Sequence, residues 1–161
     1  VIFDLIIEEK GVVNMCVFVM NEEVISTMIK NPLASVGSDG MSFAPYGVLG
    51  EARPHPRYYG TFPRLLGKYV RQDRVLTLHD AVRKITSLPA QKLGLRDRGL
   101  IREGFHADIV IFDPESVLDK AVFTDPHQYP EGIKYVLVNG RIVIENGEHT
   151  NTPAGKILRK R

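Results

Sequence analysis

Apolar residues follow two different rhythms along this chain, and the rhythm changes near residue 95. Before that point helical spacing surrounds two unbroken apolar runs; after it, short β-branched runs are separated by turn residues. Val12 to Met20 is almost continuously apolar, the pattern of a strand buried on both faces, as in a parallel sheet under helices. Asn21 is placed to cap a helix whose first turn carries Glu22 and Glu23, favourable against the helix dipole. Val24, Ile25, Met28 and Ile29 then mark one face, and Lys30-Asn31-Pro32 closes it. Leu33 to Gly37 reads as a second strand lying beside the first, because the crossover is long enough for parallel pairing. This β-α-β unit would end on Ser38-Asp39-Gly40, a carboxylate at a strand's C-terminal tip, which is where α/β proteins place catalytic groups.

Met41 to Arg64 shows no period and is rich in Gly and Pro, so a long loop is expected, and a functional one because it directly follows Asp39. Helix resumes near Thr61 with Leu65, Leu66, Tyr69 and Val70 on one face, although Gly67 interrupts it. Thr77 caps a stronger helix, with Asp80 in the capping-box position and an apolar stripe of Leu78, Ala81, Val82 and Ile85. A short helix then runs from Ser87-Leu88-Pro89 to Gly94. Ala107 to Asp113 is a strand ended by Pro114, and residues 134–138 and 141–144 flank Asn139-Gly140, a two-residue hairpin signal. The expected division is therefore 1–94 and 95–161, the second part a small sandwich or sheet. Val1 to Glu9 reads as a helix entered in its middle and stopped at Gly11, so the chain is expected to be the C-terminal part of something longer. The basic tail from Lys156 to Arg161 is expected to be solvated.

Composition narrows the function classes. Hydrophobic residues make up 43% and charged residues 25%, a soluble globular profile. The 21 basic and 19 acidic side chains leave a net charge of +2, too small a field to imply nucleic acid or an anionic membrane as partner. No apolar run approaches the roughly 20 residues that cross a bilayer. The single cysteine, Cys16, excludes an intrachain disulfide and fits a reducing, cytoplasmic setting; inside the most buried predicted strand it reads as a core thiol.

Asp39 is the principal candidate for chemistry. An Asp in that place can coordinate a divalent metal or take a proton from metal-bound water. Ser-Asp-Gly is also ordinary turn chemistry, and the buried β-α-β unit before it is what favours function. One carboxylate cannot hold zinc, which takes about three protein ligands in catalytic sites. The sequence has no His-x-His, no HExxH and no CxxC, so any partner ligands are expected elsewhere. In Pro54-His55-Pro56-Arg57 the prolines stiffen the loop, and Arg57 can fork onto a substrate carboxylate or, alternatively, pair with Glu51.

At Gly37-Ser38-Asp39-Gly40, at His55-Pro56-Arg57-Tyr58-Tyr59-Gly60-Thr61-Phe62-Pro63-Arg64 and at His127-Gln128-Tyr129-Pro130-Glu131-Gly132-Ile133 the chain resembles the N-acyl-D-amino-acid deacylases of the amidohydrolase superfamily. Gly99-Leu100-Ile101-Arg102-Glu103-Gly104 with Ala107-Asp108 is shared more widely in that superfamily. The resemblance implies the last strands and helices of a metal-dependent (β/α)8 TIM barrel over 1–94 and part of a small β-sandwich over 95–161. It implies a hydrolase using one or two zinc ions on a small N-acyl-D-amino acid. Asp39 would be the proton shuttle and a metal contact, Arg57 the grip on the carboxylate, and Ser38, Gly40 and His55 further substrate contacts. The histidines and the bridging ligand of such enzymes lie earlier in their chains, and Cys16 does not stand where the bridging ligand should. This chain alone is therefore expected to be inactive. Two alternatives stay open: an amidohydrolase acting on cyclic amides or dipeptides, and a non-catalytic chain that forms a homo-oligomer through exposed barrel edges.

Overall fold

The computed structural model describes residues 1–13 and 17–159; Cys16, the expected core thiol, lies outside them. Among the described residues five α-helices come first: α1 (Ile2–Glu8), α2 (Glu22–Lys30), α3 (Arg57–Arg64), α4 (Leu78–Ile85) and α5 (Ser87–Leu93). Four strands follow: β1 (Ile109–Phe112), β2 (Ile133–Val138), β3 (Arg141–Glu145) and β4 (Glu148–His149). They form one antiparallel sheet in sequence order. The hairpin turns at Asn139 and Gly140, both at positive φ (51° and 78°), the geometry that the Asn-Gly pair favours.

Helix ends follow the sequence closely. Asn21 accepts a hydrogen bond from the Val24 amide at 2.9 Å, and Thr77 accepts one from the Asp80 amide at 3.1 Å. The Asp80 carboxylate accepts a hydrogen bond from the Thr77 hydroxyl rather than reaching the backbone, so the expected box closes side chain to side chain, at 2.8 Å. Gly94 sits in the left-handed region at φ 73° and stops α5.

The expected strands Val12–Met20 and Leu33–Gly37 are not paired as strands among the described residues. A parallel pair needs further strands alongside and cover on both faces, and this stretch has neither: Val12, Val17, Phe18, Val19 and Leu33 are exposed. The carbonyls of the second run are met by cations instead. Lys84 donates to Asn31 O and, at 3.0 Å, to Ala34 O; Arg83 donates to Pro32 O at 2.8 Å and Lys92 to Leu33 O at 2.6 Å. The loop expected over Met41–Arg64 is shorter than its lack of period suggested. It holds a 3-10 turn, Gly47–Glu51, and α3 already begins at Arg57.

α3 continues into a π-helical stretch, Leu65–Gln72. Pro63 is accommodated within α3, and the wider helix begins two residues after it. Leu65, Leu66 and Tyr69 from this stretch join Ala81 of α4 and Val117 in the core, with Ile25, Ile29 and Val36 packed around them. At one end Glu22 of α2 accepts from the Tyr69 hydroxyl (2.8 Å) and Arg64 (3.1 Å). Burial pushes the Glu22 carboxyl up, but that hydroxyl and the cations Lys68 and Arg64 pull harder, and it lies below its ordinary value.

Helices and sheet meet at Val117, which is fully buried between β1 and β2 in sequence. A Cβ on Gly67 would stand 2.6 Å from Val117 O. Arg71 donates to that same carbonyl at 2.7 Å and to Pro114 O at 3.1 Å. Helix propensity alone favours Gly67→Ala by about 1 kcal/mol. Overpacking against a backbone oxygen outweighs it, and the substitution is expected to destabilise by about 1–3 kcal/mol. Urea unfolding of the two proteins checks this; an unchanged or higher midpoint for Gly67→Ala would show that the joint is loose.

Candidate active site

Ser38-Asp39-Gly40 follows the clamped run and is closed by a side-chain bond rather than by a backbone turn. The Ser38 hydroxyl accepts from the Gly40 amide at 3.2 Å, and Asp39 lies at φ 47°, a left-handed conformation that Asp tolerates better than most residues. Gly40 is needed for packing: a Cβ there would meet Tyr58 at 3.0 Å. The segment thereby displays the Asp39 carboxylate outward, with 88% of the side chain exposed, and Arg57 Nη2 reaches it at 3.0 Å.

Arg57 is set by the Pro-His-Pro loop. Pro54 is buried and Pro56 leads directly into α3. The His55 ring accepts the Arg57 amide at Nδ1, 3.0 Å away, and so does the work of a helix cap. That bond fixes the tautomer with the proton on Nε2. The ring's other contact is an edge against Phe123, with centroids 4.9 Å apart. Burial, helped by the neighbouring Arg57 cation, pushes the His55 imidazole below its ordinary range. The Arg57 guanidinium lies 5.9 Å from the Tyr58 ring centre, and its Nε is buried with no hydrogen-bond acceptor among the described residues. The fork faces Asp39, not Glu51.

Beside the ion pair opens a cleft of about 400 Å³, walled by Ser38, Gly40, Phe43, Tyr58, Tyr59 and Tyr129. Tyr59 is pinned through His127. That ring's Nε2 donates to Ala52 O at 2.6 Å, which leaves Nδ1 to accept the Tyr59 hydroxyl at 3.0 Å. Tyr129 stacks edge-on to Tyr59 at 5.7 Å. Burial, with Tyr129 nearby, raises the Tyr59 phenol above its ordinary value, so it stays protonated as a donor.

The structure thus brings together Asp39, Arg57, Ser38 and Gly40, and puts His55 behind Arg57 rather than on the cleft wall. The tyrosines and His127 stand in the segments that carry the resemblance, but the sequence assigns them no role at the site. Tyr58-Tyr59 directly after Arg57, and Tyr129 two residues beyond His127, are the signals that point to them. Among the described residues, no three His, Cys, Asp or Glu side chains converge as metal ligands would. Among the described residues no helix is long and apolar enough to cross a membrane.

Residues 19–144, well over half the chain, match the family described as "Amidohydrolase family". The chain belongs to the amidohydrolase family. An N-acyl-D-aspartate deacylase of Alcaligenes xylosoxydans xylosoxydans is 45% identical over 142 residues, which are 88% of this amidohydrolase chain and 27% of the relative. The crystal structure of a D-aminoacylase superposes with a TM-score of 0.79 at 40% identity, over 88% of this chain and 28% of its own. An N-acyl-D-glutamate deacylase from Bordetella bronchiseptica, solved with zinc and a phosphonate inhibitor, gives 0.69 at 43%, over 77% and 25%. The amidohydrolase chain described here therefore spans little more than a quarter of the length of these relatives.

The His55 bond has a pH signature. The unfolded chain takes up a proton near the ordinary histidine value of about 6.5, while folded His55 stays neutral to lower pH. Its stabilisation is full above the unfolded value and is lost as pH falls through the folded one. His55→Asn keeps an acceptor for the amide two residues on and does not titrate. The urea midpoint of the parent chain is expected to drop more between neutral and mildly acidic pH than that of His55→Asn; equal drops would deny the bond its role.

Proposed function

We propose that this chain is the C-terminal portion of a zinc-dependent amidohydrolase that hydrolyses the amide of N-acyl-D-amino acids. What carries the reading is the pairing of Asp39 with Arg57 at 3.0 Å beside a cleft, in a chain 45% identical to an N-acyl-D-aspartate deacylase. On this reading residues 1–94 are the last strands and helices of a (β/α)8 barrel, and 95–161 the C-terminal share of a β-sandwich. Val12–Met20 and Leu33–Gly37 then pair as strands once the rest of the barrel lies beside them. The lone cysteine suits a cytoplasmic enzyme.

The residues described here do not by themselves fit a zinc site. Zinc takes about three protein ligands; Asp39 is one carboxylate, engaged with Arg57, and no cluster of further ligands surrounds it among the described residues. What this chain contributes is substrate grip and proton transfer. A guanidinium matches a carboxylate with two parallel donors. The substrate's α-carboxylate takes the place of Asp39 on Arg57, which is feasible because an exposed ion pair is held weakly. Asp39 is thereby freed. It accepts the proton of the water that attacks the acyl carbon and delivers it to the amine nitrogen as the C–N bond breaks, releasing a carboxylic acid and the D-amino acid. Ser38 and Gly40 wall the cleft beside this exchange, and His55 keeps Arg57 aimed.

In the enzyme that carries this chain, Asp39→Asn is expected to lower kcat on the order of 10²–10⁴-fold. Arg57→Lys keeps the charge but not the fork and is expected to raise KM about tenfold or more. Turnover of an N-acetyl-D-amino acid by both variants at the parent's rate would overturn the assignment.

A second reading concerns the chain on its own and rests on its exposed apolar side chains: Phe3 is 80% exposed, Ile7 75% and Phe18 78%. Unpartnered apolar surface of this extent favours self-association. Among the described residues this surface comes from α1 and from residues 12–13 and 17–20, the latter read above as part of a barrel strand. Light scattering on the purified chain is expected to report a species larger than one chain; a monomer at all concentrations would remove this reading.

A further inference from the structure

Lys84 is a buried charge that the proposed chemistry leaves unused. Its side chain, on α4, is only 1% exposed, and its hydrogen bonds go to the carbonyls of Asn31 and Ala34. Burial, with Arg83 nearby, lowers its pKa. Burying an ammonium is costly unless its donors are met. A core-facing helix position is filled at less cost by Leu or Met, so the charge calls for a reason.

The backbone it holds supplies one. Asn31 and Pro32 precede the stretch read as a barrel strand, so a neighbouring strand does not supply their donors, and the carbonyls of Asn31 and Ala34 that Lys84 meets are in part-buried bonds. Four consecutive carbonyls, Asn31 to Ala34, are bonded by Lys84, Arg83 and Lys92. The Val36 amide donates back to the Lys84 carbonyl at 3.2 Å. Lys84 alone therefore holds the run at both ends, by side chain and by backbone. Ser38-Asp39-Gly40 comes next, and Asp39 meets Arg57 on an element fixed independently, through the Pro54–Pro56 loop. Where along its axis the run sits decides whether the carboxylate reaches the guanidinium and the cleft.

We propose that Lys84 is a positioning residue for Asp39: it sets the axial place of residues 31–36 and so the reach of the carboxylate displayed three residues beyond Val36. The proposal rests on the reading of Asp39 as proton carrier. Lys84 touches neither substrate nor Asp39 and acts only through the backbone. A misplacement of about 1 Å at a reacting group can cost on the order of 100-fold, which is the leverage available.

The test uses the enzyme that carries this chain, with an N-acetyl-D-amino acid as substrate. Lys84→Met is expected to lower kcat on the order of 10- to 100-fold and to leave KM nearly unchanged, since Arg57 is held by other elements. Lys84→Arg, which keeps a cation facing the carbonyls, is expected to recover most of the loss. In an Asp39→Asn background Lys84→Met is expected to slow turnover no further, because there is no longer a carboxylate to place. Lys92→Ala, at an exposed position that does not threaten folding, is expected to lower kcat in the same direction by a smaller factor. The proposal is overturned if Lys84→Met leaves kcat unchanged, or slows the Asp39→Asn enzyme by the factor it slows the parent. If Lys84→Met yields no folded enzyme, Lys92→Ala decides, and an unchanged kcat there overturns the proposal. Full turnover by Asp39→Asn would instead sink the underlying reading of Asp39, which is a separate outcome.

Discussion

The close approach of backbone to backbone at Val117 is the constraint on which the rest of this structure hangs. Gly67 lets the π-helical stretch come within van der Waals reach of the Val117 carbonyl, and Arg71 holds that carbonyl in place. Helices and sheet share one core there. The cleft beside Asp39 depends on the joint, because its walls come from both sides. Tyr58 and Tyr59 ride on α3, while Tyr129 and His127 lie in the segment that leads into β2. The His127 ring, bonded to Ala52 O and to the Tyr59 hydroxyl, ties loop, helix and sheet segment at one point. Loosening the joint moves one wall against the other.

Backbone hydrogen bonding explains the largest difference between what the apolar pattern predicts and what is observed. Two apolar runs around an amphipathic helix describe a parallel β-α-β unit correctly as a pattern. A strand, however, is a statement about neighbours, and its carbonyls must go to another strand or to some other donor. For residues 31–34 the donors are the cations of α4 and α5. Local signals fared better because they need no distant partner. The caps at Asn21 and Thr77, the stop at Gly94 and the Asn139-Gly140 turn all depend on atoms within a few residues. The early start of α3 was missed for a similar reason. Arg57 to Phe62 has no apolar stripe to betray a helix, and the imidazole that caps it is not among the usual capping residues.

The site divides along the same line. Asp39 and Arg57 were legible because each stands in a short motif whose chemistry follows from residue type: an acid between small residues, a guanidinium on a stiffened loop. Their contact across the fold was not legible, since nothing in the spacing distinguishes Asp39 from Glu51 as the arginine's partner. The aromatic wall was hidden more deeply. Tyr59 and Tyr129 are far apart in sequence, and only the helix–sheet joint sets their rings 5.7 Å apart. Lys84 was invisible for a different reason. On a helix with an apolar stripe a lysine reads as a solvated position, and the carbonyls of Asn31 and Ala34 that it meets are distant in sequence.

That same division bears on which charges serve stability and which serve chemistry. Lys84 is buried, bonded to carbonyls on two sides and tied back through its own backbone, so moving it disturbs the core. Asp39 and Arg57 are the opposite case. Their pair is largely exposed, at 88% and 40% of the two side chains, and such pairs contribute little to folding. A contact that holds the fold weakly is one that a ligand can replace without unfolding anything. On the function proposed above, rigid charge behind and exchangeable charge in front would let a carboxylate be placed accurately and still be released when another carboxylate arrives.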